Sequence, residues 1–592
     1  MPAADPYSYA NLEEAQIKHI SLKLSLDFNT RKISALVEYQ LDRPLDGDFC
    51  LDTHSLDIES IQRDGQNLDW QLAEEHDQFG QKLTIQGMKG IDHFSIKLTT
   101  RPESKALQWI DPAQTAGGEQ PYLYSQCQAI NARSIFPCQD TPAVRFTYDA
   151  EIEVEQPLVA VMAAAPIGVA EGHNGTSIYR FEMPQPVPSY LFALAVGNLT
   201  SRDISDRCRI YAEPEQIEAA AWEFAQTEGQ IQQAEKLFGP YPWERYDMLL
   251  LPPSYPYGGM ENPRLTFLTP TLLVGDRSQV NVVVHELAHS WTGNLVTNAT
   301  WQDLWLNEGW TVYAEQRIME ALEGQDYAHL LAAHWIDIML QQMQRAGMDS
   351  NSTRLKTEVS DKTGPLEGLF WVPYYKGFAF LKRLEEAVGR TAFDRFIATY
   401  IHQFRFTALT TEAFLAFLKQ ELPQAAEAVD LNEWIYQTGY PSDAPKLTSP
   451  LLERVDEWVD SFDQGRLPSK DEVAGWNQYQ IMRYLNQIPH ETTLENCHRL
   501  DELFNLQSSS NPQTLSAFLV ISLRSGDTSI MPRVEAFVSQ VGRLILIMPI
   551  FMALAESESG RDQARPLFEN VRAHHHAITQ STIERLLASK GL

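Results

Sequence analysis

The pentapeptide HELAH, His285 to His289, sets two imidazoles four residues apart with a glutamate between them. On a helix, positions i and i+4 share a face, so His285 and His289 can converge on one ion while Glu286 projects beside them as a base. After 18 intervening residues the stretch WLNEGWTVYAE, again helical in texture, supplies Glu308 between Asn307 and Gly309. Catalytic zinc takes three protein ligands and leaves its fourth position to water, and two histidines with one glutamate are a known set. His285, His289 and Glu308 are therefore expected to hold one metal ion; zinc suits them, and ligand type alone leaves manganese or cobalt open. Just upstream, YPYGGMENP (Tyr255 to Pro263) brings a double glycine, Gly258 and Gly259, followed by Met260 and a carboxylate, Glu261. Such glycines let backbone approach a ligand closely and present unhindered N–H groups.

These groups need a scaffold, and the chain is long enough to supply one. Its 592 residues allow about three or four domains, and with 44% hydrophobic and 21% charged residues it has ample material for packed cores. The net charge of -31 would repel nucleic acid phosphates and anionic membranes, so neither is an expected partner. Five scattered cysteines do not form a disulfide framework, and the first twenty residues have no basic-then-apolar leader pattern, which together suggest a cytoplasmic protein. The longest apolar run, Leu544 to Ala555, is broken by Pro549, too short to span a membrane, and reads as a buried helix.

Period-two alternation in HISLKLSLDF, ISALVEYQL, FSIKLTT and FTYDAEIEV predicts an antiparallel sheet domain over residues 1–205. Helical spacing begins near Pro214, and a mainly helical domain is expected over 206–442. The Pro- and Gly-rich stretch GYPSDAPKLTSP marks a linker, placed at 443–450, and residues 451–592 read as all-helical.

GGMEN, then HELAH, then NEG is the motif order of the gluzincin aminopeptidases of peptidase family M1, which this chain resembles. PYLYSQCQAINARSIFPCQDTPAVRFTY (Pro121 to Tyr148), LPPSYPYGGMENPRLTFLTPTLL and HSWTGNLV narrow the resemblance to the leukotriene A4 hydrolase branch, over essentially the whole chain. It implies an α+β multidomain fold: an antiparallel β N-terminal domain, a thermolysin-like, mainly helical catalytic domain and an all-α C-terminal domain. It further implies a zinc aminopeptidase acting on short peptides with a free N-terminus; a monomer is expected. Glu261, Gln126 and Gln128 would bind the substrate α-ammonium, Glu286 would be the base, and Tyr374 in WVPYYKGFAFL would stabilise the tetrahedral intermediate. Tyr257 would line the same cleft. In the tail, FVSQVGRLILIMPIF aligns without gaps to a carboxylate-binding segment, keeping its Arg as Arg543 and replacing its Lys by Ile545; Arg561 is read as a decoy.

Two departures bear on activity. Leu366 stands where the leukotriene A4 hydrolases have an aspartate needed for epoxide opening, and Leu369 where they have a tyrosine contacting the lipid. An epoxide hydrolase is the alternative these leucines disfavour, and a non-catalytic scaffold is disfavoured by the intact ligand, base and tyrosine set. His574 to His576, in an Arg- and Glu-rich helical stretch, read as a solvated face, and Cys127 and Cys138 as small buried hydrophobes.

Overall fold

The computed structural model describes residues 5–358, 364–366, 371–557 and 560–592. In the first strand, Ile17–Asp27, the alternating apolar residues Ile20, Leu22 and Leu24 are buried and Lys23 and Ser25 exposed. An eight-stranded sheet follows from such patterns, in the order Ala165–Glu171, Thr176–Pro188, Arg145–Glu155, Ile17–Asp27, Lys32–Leu41, His93–Thr100, Leu56–Arg63, Gln66–Asn67. It is antiparallel except at one pairing, where Ile17–Asp27 runs parallel to Arg145–Glu155 with His19 opposite Thr147. Alternation reports which face is buried and is blind to strand direction, so this exception could not be read in advance.

The middle of the chain carries a second sheet. Its order is Thr200–Ser205, Cys208–Ala212, Asp247–Leu250, Leu265–Leu268, Gly259–Met260. Asp247–Leu250 and Leu265–Leu268 are buried at every position. Short apolar runs of this kind lack alternation and do not separate from helix by period, which is why the region read as mainly helical. Gly259–Met260 forms the edge of this sheet, with Gly259 opposite Leu268 and Met260 opposite Phe267.

Seven helices carry or border the candidate site: α1 (Asn281–Ala288), α2 (Trp305–Glu323), α3 (Gln325–Ala346), α4 (Gly377–Val388), α5 (Gln478–Gln487), α6 (Pro512–Arg524) and α7 (Leu544–Glu556). Every residue of α2 from Trp305 to Met319 is buried, so it is a central helix and its polar side chains must find partners inside the protein. A five-residue π turn, Val372–Lys376, leads into α4. From Pro450 onward the described residues are helical or loop, and they close a separate apolar core running from Val455 to Leu587. The apolar run that reads as a buried helix is α7, with Pro549 inside it. No helix among the described residues is long and apolar enough to cross a membrane.

The C-terminal helices are stitched to the site-bearing loop. Gly542 N–H donates to the Pro253 carbonyl and Leu544 N–H to that of Pro256, both at 2.9 Å. His575 and His576 correct the reading of a solvated histidine face: they are 1% and 3% exposed. The His575 carbonyl accepts from Gln114 Nε2 at 3.0 Å, and His576 Nε2 meets Gln108 Oε1 at 2.5 Å. The partners lie in the N-terminal domain, beyond the reach of local composition. Cys127 and Cys138 are buried free thiols, as expected.

Candidate active site

α1 presents His285 and His289 on one face, and α2 brings Glu308 to meet them. His285 Nε2 and His289 Nε2 lie 3.3 Å apart, and each is 3.5 Å from Glu308 Oε2. Three donors placed ~2.1 Å from a shared tetrahedral centre would be separated by roughly 3.4 Å, so the donors fit a zinc ion in both type and spacing. Glu308 Oε2 is buried without a hydrogen-bond donor, as a metal-facing oxygen should be. The outer nitrogens are held as well: His285 Nδ1 by Glu315 Oε2 at 3.1 Å and His289 Nδ1 by Thr311 Oγ1 at 3.2 Å. Such outer partners fix the tautomer and the ring direction.

Two glycines make room for two charged side chains. A Cβ on Gly259 would sit 2.3 Å from Glu286 Oε1, and one on Gly258 would sit 2.8 Å from Arg543 Nη2. The double glycine thus lets the edge strand lie directly against the α1 glutamate on one side and the C-terminal domain's arginine on the other. Arg543 precedes α7, is 7% exposed, donates from Nη1 to Thr271 Oγ1 at 3.4 Å, and keeps its Nε buried without a partner. Arg561 lies elsewhere, its Nη2 donating to the Lys590 carbonyl at 2.5 Å.

Glu261 follows the edge strand and is 4% exposed. Its Oε1 accepts from Gln128 Nε2 at 3.2 Å, and its carbonyl accepts from Asn294 Nδ2 at 2.6 Å. Gln126 points at the same strand, its Nε2 3.1 Å from Met260 Sδ and its Oε1 buried and unpartnered. One ligand-capable atom from each of Glu261, Glu286 and His289 lies within 4.8 Å of the others. Tyr257 is half-buried and packs edge-on against Tyr255 at 5.7 Å between ring centroids.

Tyr374 enters from the π turn. Its ring stacks on His285 at 6.0 Å, and its hydroxyl is within hydrogen-bonding reach of Glu308. A Cβ on Gly309 would be 2.8 Å from the Gly377 Cα and 3.0 Å from the Pro373 carbonyl. The glycine after Glu308 therefore lets α2 touch the start of α4, which brings Tyr374 to the ligand set. Tyr375 turns away, stacking on Trp335.

The electrostatics show what the cluster lacks. Burial pushes the Glu286 carboxyl up to about 8, with Glu308 and Glu315 adding to the rise and His285 and Arg543 opposing it. Burial, followed by the charges of Glu308 and Glu286, raises Glu261 well above the carboxylate range. His289 is pulled down to about 3 by burial. Burial also disfavours charge on His285, yet Glu308 and Glu315 override it and raise its pKa. Four buried carboxylates outnumber the cations around them, and a divalent ion and an ammonium are the species that would balance them.

The residues expected from the sequence are thus brought together, except that Tyr257 is seen only packing on Tyr255, Leu366 is half-buried against the apolar core and Leu369 lies outside the described residues. Glu315 and Thr311 were missed. Their signal is spacing: they follow Glu308 by seven and three residues, on one face of α2.

A helix bearing HELAH, closed by a glutamate from the next helix beside a GGMEN edge strand, defines a metal-dependent peptide hydrolase of the gluzincin kind. The chain matches the peptidase M1 N-terminal domain over residues 9–191, the peptidase family M1 domain over 222–434 and the leukotriene A4 hydrolase C-terminal domain over 476–587. It is 34% identical to a protein named leucine aminopeptidase 2 from Neosartorya fischeri, over 100% of this chain and 98% of that one. With leukotriene A-4 hydrolase of Xenopus laevis it shares 37% identity, over 98% and 99%. A yeast leukotriene A4 hydrolase solved with bestatin superposes with a TM-score of 0.91 at 33% identity, over 99% of this chain and 97% of that one. The chain belongs to peptidase family M1, and it has that family's three-domain architecture: a sheet-rich N-terminal domain and helical catalytic and C-terminal domains.

Proposed function

We propose that the protein is a zinc aminopeptidase that removes the N-terminal residue of short peptides. The observation that supports this is that one ligand-capable atom from each of Glu261, Glu286 and His289 lies within 4.8 Å of the others, so Glu261 is near enough to take an α-ammonium whose adjoining peptide bond reaches Glu286 and the zinc ligands. His285, His289 and Glu308 would hold the zinc, which when bound supplies Lewis acidity and lowers the pKa of water toward neutrality. Glu261, with Gln126 and Gln128, anchors the α-ammonium, so that only the first peptide bond reaches the metal side of the cleft. Glu286 takes a proton from the attacking water and returns it to the leaving amine. Tyr374 donates its hydroxyl hydrogen to the developing oxyanion. Gly258, Gly259 and Met260 present the edge of the sheet to the peptide, and Tyr257 borders it. Arg543 meets the carboxylate of a short substrate.

The aminopeptidase-named relative supports this reading, and the Xenopus relative raises the epoxide alternative, against which Leu366 places an apolar side chain where an acid is needed. We take domain boundaries near 205, 442 and 450, a monomer, and a cytoplasmic setting consistent with five unpaired cysteines. The test is a panel of aminoacyl amides and tripeptides with metal-depleted and zinc-restored enzyme. Turnover is expected to vanish on chelation and return with zinc, and hydrolysis indifferent to metal would overturn the assignment.

A further inference from the structure

The catalytic and C-terminal domains enclose a second feature, a cavity of about 560 Å³ that the proposed reaction does not use. That volume lies within the ~300–1,000 Å³ of ligand sites. Four helices line it: three carry stripes of lining residues, from His334 to Arg345 on α3, from Gln513 to Arg524 on α6 and from Ile545 to Glu556 on α7, and α5 adds Met482 and Asn486. Each stripe spans eleven residue steps, or ~16 Å of helix, the reach of about five extended peptide residues.

The two ends differ. The inner end borders the candidate site: Trp371 lines the cavity and packs against Tyr374 with ring centroids 5.5 Å apart, and Ile545 is two residues past Arg543. The outer end is basic. Arg345 and Arg524 line it, and both guanidiniums, after burial, help hold the nearby His490 below the usual imidazole pKa. Arg524 Nη2 pairs with Glu556 Oε2 at 2.8 Å, but Glu556 is shared with Lys590 at 2.9 Å, so among the described residues lining this end the cations are in excess. Arg524 Nε is buried and unpartnered. On a chain of net charge -31, a positive mouth on a cavity bordering the candidate site is a local exception.

We propose that this cavity is a distal subsite for peptides longer than three residues, and that it selects those bringing a carboxylate, on a side chain or at the terminus, to Arg345 and Arg524. The proposal rests on the aminopeptidase reading. The walls accept an extended backbone of varied sequence, and the basic mouth reads the far end.

The test compares kcat/KM for four heptapeptides, Leu followed by five Ala and then Glu amide, Lys amide, Ala acid or Ala amide, each taken relative to Leu-Ala-Ala. The Glu amide and the Ala acid are expected to exceed the Lys amide by about five- to tenfold, the scale of a partly exposed charge contact. Arg345→Glu should abolish or invert that order, and Arg561→Ala, on a remote helix, should preserve it. A preference confined to the Ala acid assigns the mouth to the terminus, and one shared with the Glu amide assigns it to any carboxylate. Equal treatment of all four by the parent enzyme, or a preference surviving Arg345→Glu, would overturn the proposal. Should no peptide be cleaved, the aminopeptidase reading fails by itself. Fluorescence anisotropy of the labelled heptapeptides on Glu286→Gln then decides the subsite: tighter binding of the Glu amide than of the Lys amide, lost with Arg345→Glu, upholds it, and equal binding rejects it.

Discussion

Two of the buried charge clusters in this molecule are built on opposite plans. In the N-terminal domain Arg133, 1% exposed, lies between Asp52 and Asp140, which are fully buried. Its Nε donates to Asp140 at 3.0 Å, its Nη1 to the Phe79 carbonyl at 2.7 Å and its Nη2 to that of Tyr7 at 2.9 Å. Asp52 accepts from the Ser8 hydroxyl, Tyr9 N–H and Asp140 N–H. The network ties the start of the chain to the sheet and has no capacity left for a ligand. Around the candidate active site, where the three domains meet, Glu308 Oε2, Gln126 Oε1 and Arg543 Nε are buried with no partner. Saturated buried charge serves the fold, whereas unsaturated buried charge is binding capacity held in place by a fold stabilised elsewhere.

The contrast can be broken in measurable ways. The largest effect is expected from Glu286→Gln, which keeps the three ligands and should retain zinc by elemental analysis while kcat falls by about 10⁴-fold. Full turnover at normal zinc content would remove Glu286 as the base. Arg133→Met strands two buried aspartates and should cost about 3–5 kcal/mol in urea denaturation, with turnover per folded molecule unchanged. Tyr374→Phe should lower kcat by about 10²- to 10³-fold at constant zinc content, and a change confined to KM would make it a ground-state contact instead. With Glu261→Ala, discrimination between a free-amine tripeptide and its N-acetyl form should shrink by about 10- to 100-fold, the worth of one charged contact. The smallest effect sharpens the comparison most. Glu261→Gln should stabilise the metal-free protein by about 1 kcal/mol, since it removes an uncompensated buried acid, opposite in sign to Arg133→Met.

The same contrast explains what the sequence made legible. HELAH, the glutamate of NEG and GGMEN act at fixed short spacings, so their chemistry could be read from adjacent residues. Arg543 was reachable through the gapless register of FVSQVGRLILIMPIF, although its contact with Gly258 spans two domains. Glu315 and Thr311 carry no motif beyond the period of their helix and became visible once His285 and His289 were seen leaning on them. The Asp247–Leu250 and Leu265–Leu268 strands and the parallel pairing of Ile17–Asp27 depend on partners distant in sequence. The burial of His575 and His576 depends on Gln108 and Gln114 in another domain, and no local pattern encodes that.

The π turn at Val372–Lys376 carries a constraint of its own. It fits one more residue into a turn than an α-helix does, and from it Tyr374 reaches Glu308 while Tyr375 packs on Trp335. Removing a single residue there would restore α pitch and rotate one side of the segment against the other by about 100°. Tyr374 would then leave the ligand set with every side chain chemically intact. What this stretch stores is a count of residues as much as their identity: it should tolerate apolar replacement at Val372, yet shortening by one position should silence the enzyme.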